Sequence, residues 1–183
     1  MRREDAKRLT IDASVARAAG RSEEPGPSRD CRLFLDAVLT VCHHASFTPD
    51  MWDEWKSHAG GMAKEWLRRM HARKKVDAVR AEPDEALRRA IADLAAELRD
   101  PDQRHAAREQ MGKDVFLLEA AQAADGMVVS LDEEVHRWFA RLATCHAPVQ
   151  RIAWVNPCDD PTGNGAWLEA GASPLPRHRL GTK

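Results

Sequence analysis

No apolar run in the sequence approaches the roughly 20 residues that a membrane-spanning helix requires; stretches such as Met127–Leu131 are far too short. No hydrophobic segment precedes Leu9, so neither a secretory signal nor a targeting helix is visible and a cytoplasmic location is expected. Cys31, Cys42, Cys145 and Cys158 form no C-x-x-C pair, which argues against a zinc knuckle or a redox dithiol and leaves reduced, mostly buried thiols as the reading. The run Cys42-His43-His44 does not change this. Adjacent residues on a helix point in different directions, and a closed zinc site needs four convergent ligands. Nor is one sign of charge in excess: the formal net charge is −1, so any binding of phosphate must be local rather than a matter of bulk basicity. Internal repeats and low-complexity tracts are also missing.

What remains is an ordinary globular composition. The chain has 183 residues, 43% of them hydrophobic and 31% charged, enough for one good core and no more than one domain by necessity. Arg8-Leu-Thr-Ile-Asp-Ala-Ser14 reads as a short buried strand with a polar end, followed by a Pro/Gly/Ser/Glu-rich loop over 21–28. Apolar residues recur at helical spacing from Asp30 to His44, Ala45–Thr48 makes a second strand, and Thr48-Pro49-Asp50 has the look of a helix start. After Gly60-Gly61 the pattern predicts a helix over Met62–Val79, and Pro83-Asp84-Glu85 opens another that stops at Asp100-Pro101. These two helices are expected to form a hairpin-like insertion over 57–105. A helix after Gly112 feeds the strand Met127–Leu131, Asp132-Glu-Glu134 opens the next helix, and Arg151–Val155 is a last strand.

Strands alternating with helices point to an α/β fold whose central, mostly parallel sheet is flanked by helices on both faces. The expected division is an α/β domain over 1–157 and a C-terminal extension over 158–183, with 171–183 as a loose tail. In such sheets ligands bind beyond the carboxyl ends of the strands, and that is where the acids fall. Asp12 ends the first strand, Asp132 follows the strand Met127–Leu131, Asp114 opens the helix leading into that strand, and Glu54 rides on the helix after the second strand. Gathered together, four carboxylates repel one another unless a cation sits among them. An all-oxygen acidic site suits Mg2+ or Mn2+, whose natural reaction class here is phosphodiester hydrolysis.

Ile11-Asp12-Ala13-Ser14, the later Glu54, Lys113-Asp114 at the head of an apolar helix, and Val128-Val129-Ser130-Leu131-Asp132 resemble, in order and in context, the four acidic motifs of PIN-domain nucleases. The resemblance covers roughly 8–155. It implies a three-layer PIN-like sandwich in which Asp12, Glu54, Asp114 and Asp132 bind Mg2+ or Mn2+ and cut RNA. Ser14, two residues after the first acid, takes the place of the hydroxyl that supports the site, and Ser130 that of the hydroxyl before the last acid, displaced by one because Leu131 intervenes. An antitoxin partner, in a toxin–antitoxin pair, and a homodimer are likewise implied by the resemblance alone. The segment between Lys56 and Gly112 is longer than in a compact bacterial PIN toxin. Asp53 competes with Glu54, since adjacent helical side chains diverge by about 100° and only one can face the crevice.

Each feature also has a plainer reading. Asp12, Asp114 and Asp132 could be helix caps. The basic stretch from Lys64 to Lys75 is more simply a solvated helix face than an RNA track. Trp52, Trp55, Trp138, Trp154 and Trp167 read as core anchors, and His43, His44 and His105 receive no role. Two other functions compete with the nuclease: an inactive PIN-like module that binds RNA or protein, and a phosphatase of the haloacid dehalogenase type. The latter normally needs a second Asp where Ser14 stands.

Overall fold

A computed structural model of the protein describes residues 6–182. Its chain winds through five strands: β1 (Arg8–Ile11), β2 (His44–Phe47), β3 (Val76–Ala78), β4 (Met127–Val129) and β5 (Ala153–Val155). The helices are α1 (Ala13–Ala18), α2 (Pro27–Val41), α3 (Pro49–His58), α4 (Gly61–Ala72), α5 (Glu85–Ala96), α6 (Pro101–Ala123), α7 (Glu133–Ala143), α8 (Ala147–Gln150) and α9 (Pro161–Glu169). All strand pairings are parallel, in the order β3-β2-β1-β4-β5. Parallel strands need crossover connections, and each crossover lays its helices on a face of the sheet. Winding goes from β1 outward to β3 and then returns past β1 to β4 and β5, so the two sets of helices fall on opposite faces. Helices α1 to α4 and α9 pack among themselves, as do α5 to α7, giving a three-layer α/β sandwich. Because both faces are covered, β1, β4 and β5 are nearly continuous apolar runs, with Leu9, Ile11, Val128 and Val129 fully buried.

Tryptophans and one histidine peg the layers. Trp66 donates its indole hydrogen to Leu35 O at 2.5 Å and so fixes α4 on α2. His43 is buried; its Nδ1 accepts from the Lys7 amide at 3.0 Å while its Nε2–H meets Leu168 O at 2.9 Å, tying the start of β1 to α9. Burial holds this imidazole below its ordinary value, in keeping with a neutral brace. Across α5 and α6, buried Glu119 accepts from the Asp84 amide and from both Nε and Nη2 of Arg88, each at 2.9 Å. Gly126, at φ 72°, makes the left-handed turn between α6 and β4 that a residue with a Cβ would resist.

Three sequence expectations are corrected. The helix expected over Met62–Val79 ends at Ala72; Lys74 adopts φ 56°, and Val76–Ala78 pairs with β2 as the edge strand. Residues 57–105 are therefore not a purely helical insertion, since they supply a strand of the sheet. The helix expected after Gly112 instead begins at Pro101 and runs unbroken through Gly112 to Ala123, so Asp114 lies within it rather than at its head. The tail is not loose. Leu180 is buried, its amide donates to Ile152 O at 3.0 Å, and Arg179 bridges antiparallel to Ala153 on β5. Part of the basic stretch is engaged locally: Arg68 pairs with Glu65, while Arg73 and Lys75 donate to Leu39 O. No helix among the described residues is long and apolar enough to cross a membrane.

If the C-terminal segment contributes to the fold through Leu180, Leu180→Ala should cost about 2–4 kcal/mol in urea denaturation. A loss below about 0.5 kcal/mol, the scale of ordinary surface changes, would mean that the segment does not dock.

Candidate active site at the carboxyl ends of β1 and β4

The direction of winding reverses between β1 and β4, and at such a switch point the helices of the two faces diverge and leave a crevice. Asp12 and Ser130 stand on its two sides. The Asp12 amide donates to Val129 O at 2.9 Å, carrying the β1–β4 ladder one residue past β1. Asp12 occupies the position preceding α1, yet its carboxylate makes no cap to that helix. Its Oδ2 instead accepts from Ser14 Oγ and from Ser130 Oγ, the latter at 2.7 Å. Each hydroxyl in turn accepts a backbone amide: Leu131 N–H at 3.1 Å for Ser14, Asp132 N–H at 3.0 Å for Ser130. Two serines thus bind the β1–α1 turn to the β4–α7 turn and fix the rotamer of Asp12. Oδ1 has no hydrogen-bond partner among the described residues.

Leu131 between Ser130 and Asp132 is what lets this happen. Strand β4 stops at Val129 rather than Leu131, and Ser130, fully buried, still donates its amide to Val155 O at 3.1 Å. The chain then turns, so that Asp132 caps α7 with Oδ1, accepting from the Glu134 and Val135 amides at 3.1 and 2.9 Å. The cap reading of Asp132 is therefore correct and compatible with a further role, since one carboxylate oxygen serves the helix.

Asp114 reaches the crevice from α6, and Glu54 from α3. Helix α3 is placed by Thr48, whose hydroxyl accepts the Met51 amide at 3.3 Å, and by Trp55, whose indole donates to Ile11 O at 2.7 Å, one residue before Asp12. Of the adjacent acids, Asp53 is exposed and pairs with Lys56 at 2.7 Å, whereas Glu54 is half-buried and its charge is felt at Asp114. Burial first, then the charges of Asp12 and Asp132 and lastly that of Glu54, push the Asp114 carboxyl from 3.8 up to about 6, against a weaker opposing effect of Lys113. That response brings the four sequence-selected acids into one electrostatic cluster.

Among the described residues, however, no three Asp, Glu, His or Cys side chains stand close enough together to hold a metal ion. The donor set is all oxygen, mutually repulsive and partly buried, which fits the chemistry of a hard divalent cation. It does not have the spacing of a ligand shell among the described residues, where Asp12 and Asp132 are held by hydrogen bonds while the carboxylates of Glu54 and Asp114 make none. Sequence reading has Trp55 as a core anchor, as its burial bears out, but not as the tether of α3 to the end of β1 through Ile11 O. It also missed the polar cleft at the end of β5, where Glu133, Asp159 and Asn156 meet. Neither a protein-family model, nor a curated protein, nor a solved structure matches the chain.

The pH dependence of Asp114 can be checked. A folded-state value above the unfolded one means that the native state holds the proton more tightly, so stability declines as pH rises from about 4 to about 6 and stays lower above that window. Asp114→Asn should therefore be more stable than the parent chain by about 1–3 kcal/mol at pH 8 and equal to it near pH 4. An equal difference at both pH values in chemical denaturation would contradict the account.

Proposed function

We propose that the chain is a divalent-metal-dependent endoribonuclease that hydrolyses RNA phosphodiester bonds at the β1/β4 crevice. The observation that carries this reading is Asp12 at the end of β1, pre-oriented by two serine hydroxyls, with Asp132, Asp114 and Glu54 near enough for the charges of Asp12, Asp132 and Glu54 to act on Asp114. Asp12 presents a free oxygen on a rigid turn, while Asp132 is anchored through its other oxygen to the N-terminus of α7. Asp114 holds a proton more readily than an ordinary aspartate, first because it is partly buried and then because its neighbours are negative; a cation would take over that neutralising role. Asp12, Glu54, Asp114 and Asp132 would hold Mg2+ or Mn2+, which when bound would supply Lewis acidity toward the phosphorus and stabilise charge on the leaving oxygen. Ser14 and Ser130 act through Asp12 and are positioning residues.

The likeness of the motifs to PIN-domain toxins supports a cytoplasmic enzyme paired with an antitoxin protein, and a homodimer. A second reading, a PIN-like module that binds RNA or protein without cutting, draws on the absence of a ligand-spaced triad among the described residues.

Purified protein incubated with mixed structured and single-stranded RNA separates the two. The nuclease should cut with Mn2+ or Mg2+, stop with chelator, and lose all cutting in folded Asp12→Asn and Asp132→Asn. Ser14→Ala and Ser130→Ala should each reduce cutting by about 10–100-fold, the usual effect of removing a group that orients a metal ligand. Intact, metal-supplied protein that leaves every RNA uncut would favour the binding module.

A further inference from the structure

The sheet has two edges, and the chain treats them differently. At β5 the edge is met by the chain itself: Arg179 bridges antiparallel to Ala153, and the Leu180 amide donates to Ile152 O at 3.0 Å. At β3 the edge is open. Ala45 N–H donates to Lys75 O and Val79 N–H to Phe47 O, both at 2.9 Å. With the register Ala45↔Val76, Ser46↔Asp77 and Phe47↔Ala78, this turns the backbone of Lys75, Asp77 and Val79 toward β2. The alternate residues, Val76 and Ala78, then point their N–H and C=O groups outward. Neither backbone meets a partner among the described residues; Ala78 is exposed and Val76 half-buried. Such a row of unmet backbone groups is a template for another strand.

A cavity of about 460 Å3 lies along the same edge. Phe47, Trp52, His71, Val76, Ala78 and Arg80 are among its walls. The pleat accounts for its position. Paired residues share a face, and Phe47, the partner of Ala78, packs edge-to-face with Trp52 and Trp55 of α3, ring centres 5.7 and 5.2 Å away. Val76 and Ala78 therefore look toward the layer of α3 and α4. A residue of an added strand that pairs directly with either one projects its side chain to that face, into the cavity. Alanine at the exposed position leaves room for a large one.

Backbone and charge select the occupant. A peptide offers N–H and C=O groups alternately at the spacing the edge requires, whereas a phosphodiester backbone offers chiefly acceptors. Lys74 and Arg80, at either end of the strand, are exposed and unpaired among the described residues, while Asp77 already meets His44 at 2.9 Å. The same charges disfavour a second copy of the chain. The two-fold pairing that satisfies Val76 with Ala78 sets Lys74 of each copy against Arg80 of the other. We propose that β3 receives an extended segment of a partner protein, whose apolar side chain fills the cavity while flanking acidic residues meet Lys74 and Arg80. Docking here is separate from the acidic crevice and independent of whether the chain cuts RNA.

The test selects random heptapeptides displayed on phage against the whole chain, then follows the synthesised winners through the backbone amide resonances of Val76 and Ala78. Winners should carry an aromatic or branched aliphatic residue with Asp or Glu on either side, shift both amides and slow their exchange with solvent. Methylating the peptide nitrogens one at a time should weaken binding by at least about tenfold at alternate positions, those facing β3, and little at the others. This pattern needs no change in the protein. Folded Ala78→Pro, which removes an outward N–H without touching the ladder to β2, should weaken binding by a similar factor, as should Lys74→Glu combined with Arg80→Glu. No bound peptide, binders that leave both amides unmoved, or a methylation series without alternation would each overturn the proposal. So would protection of the same amides by self-association of the chain alone, which gives the edge to a second copy, or by a single-stranded oligouridylate and no peptide, which gives it to RNA.

Discussion

Everything in the candidate site depends on one topological constraint, the reversal of winding between β1 and β4. Neighbouring parallel strands whose crossovers leave to opposite faces cannot be roofed by a single helix, so backbone and side chains at their carboxyl ends stay accessible. The turn after β1 and the turn after β4 then lie side by side, and the Asp12 amide on Val129 O fixes their relative height. Trp55 on Ile11 O brings α3 to the same level from one face, and α6 crosses β1 and β4 on the other. Two half-buried acids, Glu54 and Asp114, arrive from opposite layers.

Assembling acids in this way works against folding. Asp114 bears the strain as a raised affinity for its proton, which trades stability at neutral pH for a site primed to accept positive charge. Asp12 is protected differently, by two serine hydroxyls that give their hydrogens to one oxygen and take amides from the neighbouring turn. The same residues therefore staple two turns and orient a carboxylate. Rigidity and reactivity in this region share one set of contacts.

Much of this was legible from residue order. The apolar runs before Asp12 and Asp132 mark buried parallel strands, and an acid at the end of such a strand has few other places to go. Ser14 and Ser130 are singled out only by the resemblance of their motifs to those of PIN-domain proteins. Other parts were hidden for physical reasons. Strand β3 is three residues long and follows helix α4 with neither Gly nor Pro between them; Lys74 makes the break in a left-handed conformation that its side chain does not advertise. Helix α6 continues through Gly112 because packing of its flanks outweighs the modest propensity cost of one glycine, about 1 kcal/mol. The segment around Leu180 lacks an apolar cluster, yet Ala172, His178 and Leu180 are buried and the Leu180 amide ties it to Ile152 beside β5.

The central claim is that the four acids form a divalent-cation site, and Mn2+ binding followed by electron paramagnetic resonance addresses it without any RNA. The account predicts that the protein removes free Mn2+ from the spectrum, that Mg2+ competes, and that folded Asp12→Asn and Asp114→Asn each weaken binding by at least about tenfold. Binding that survives both substitutions, or no binding by the folded parent chain, would contradict it.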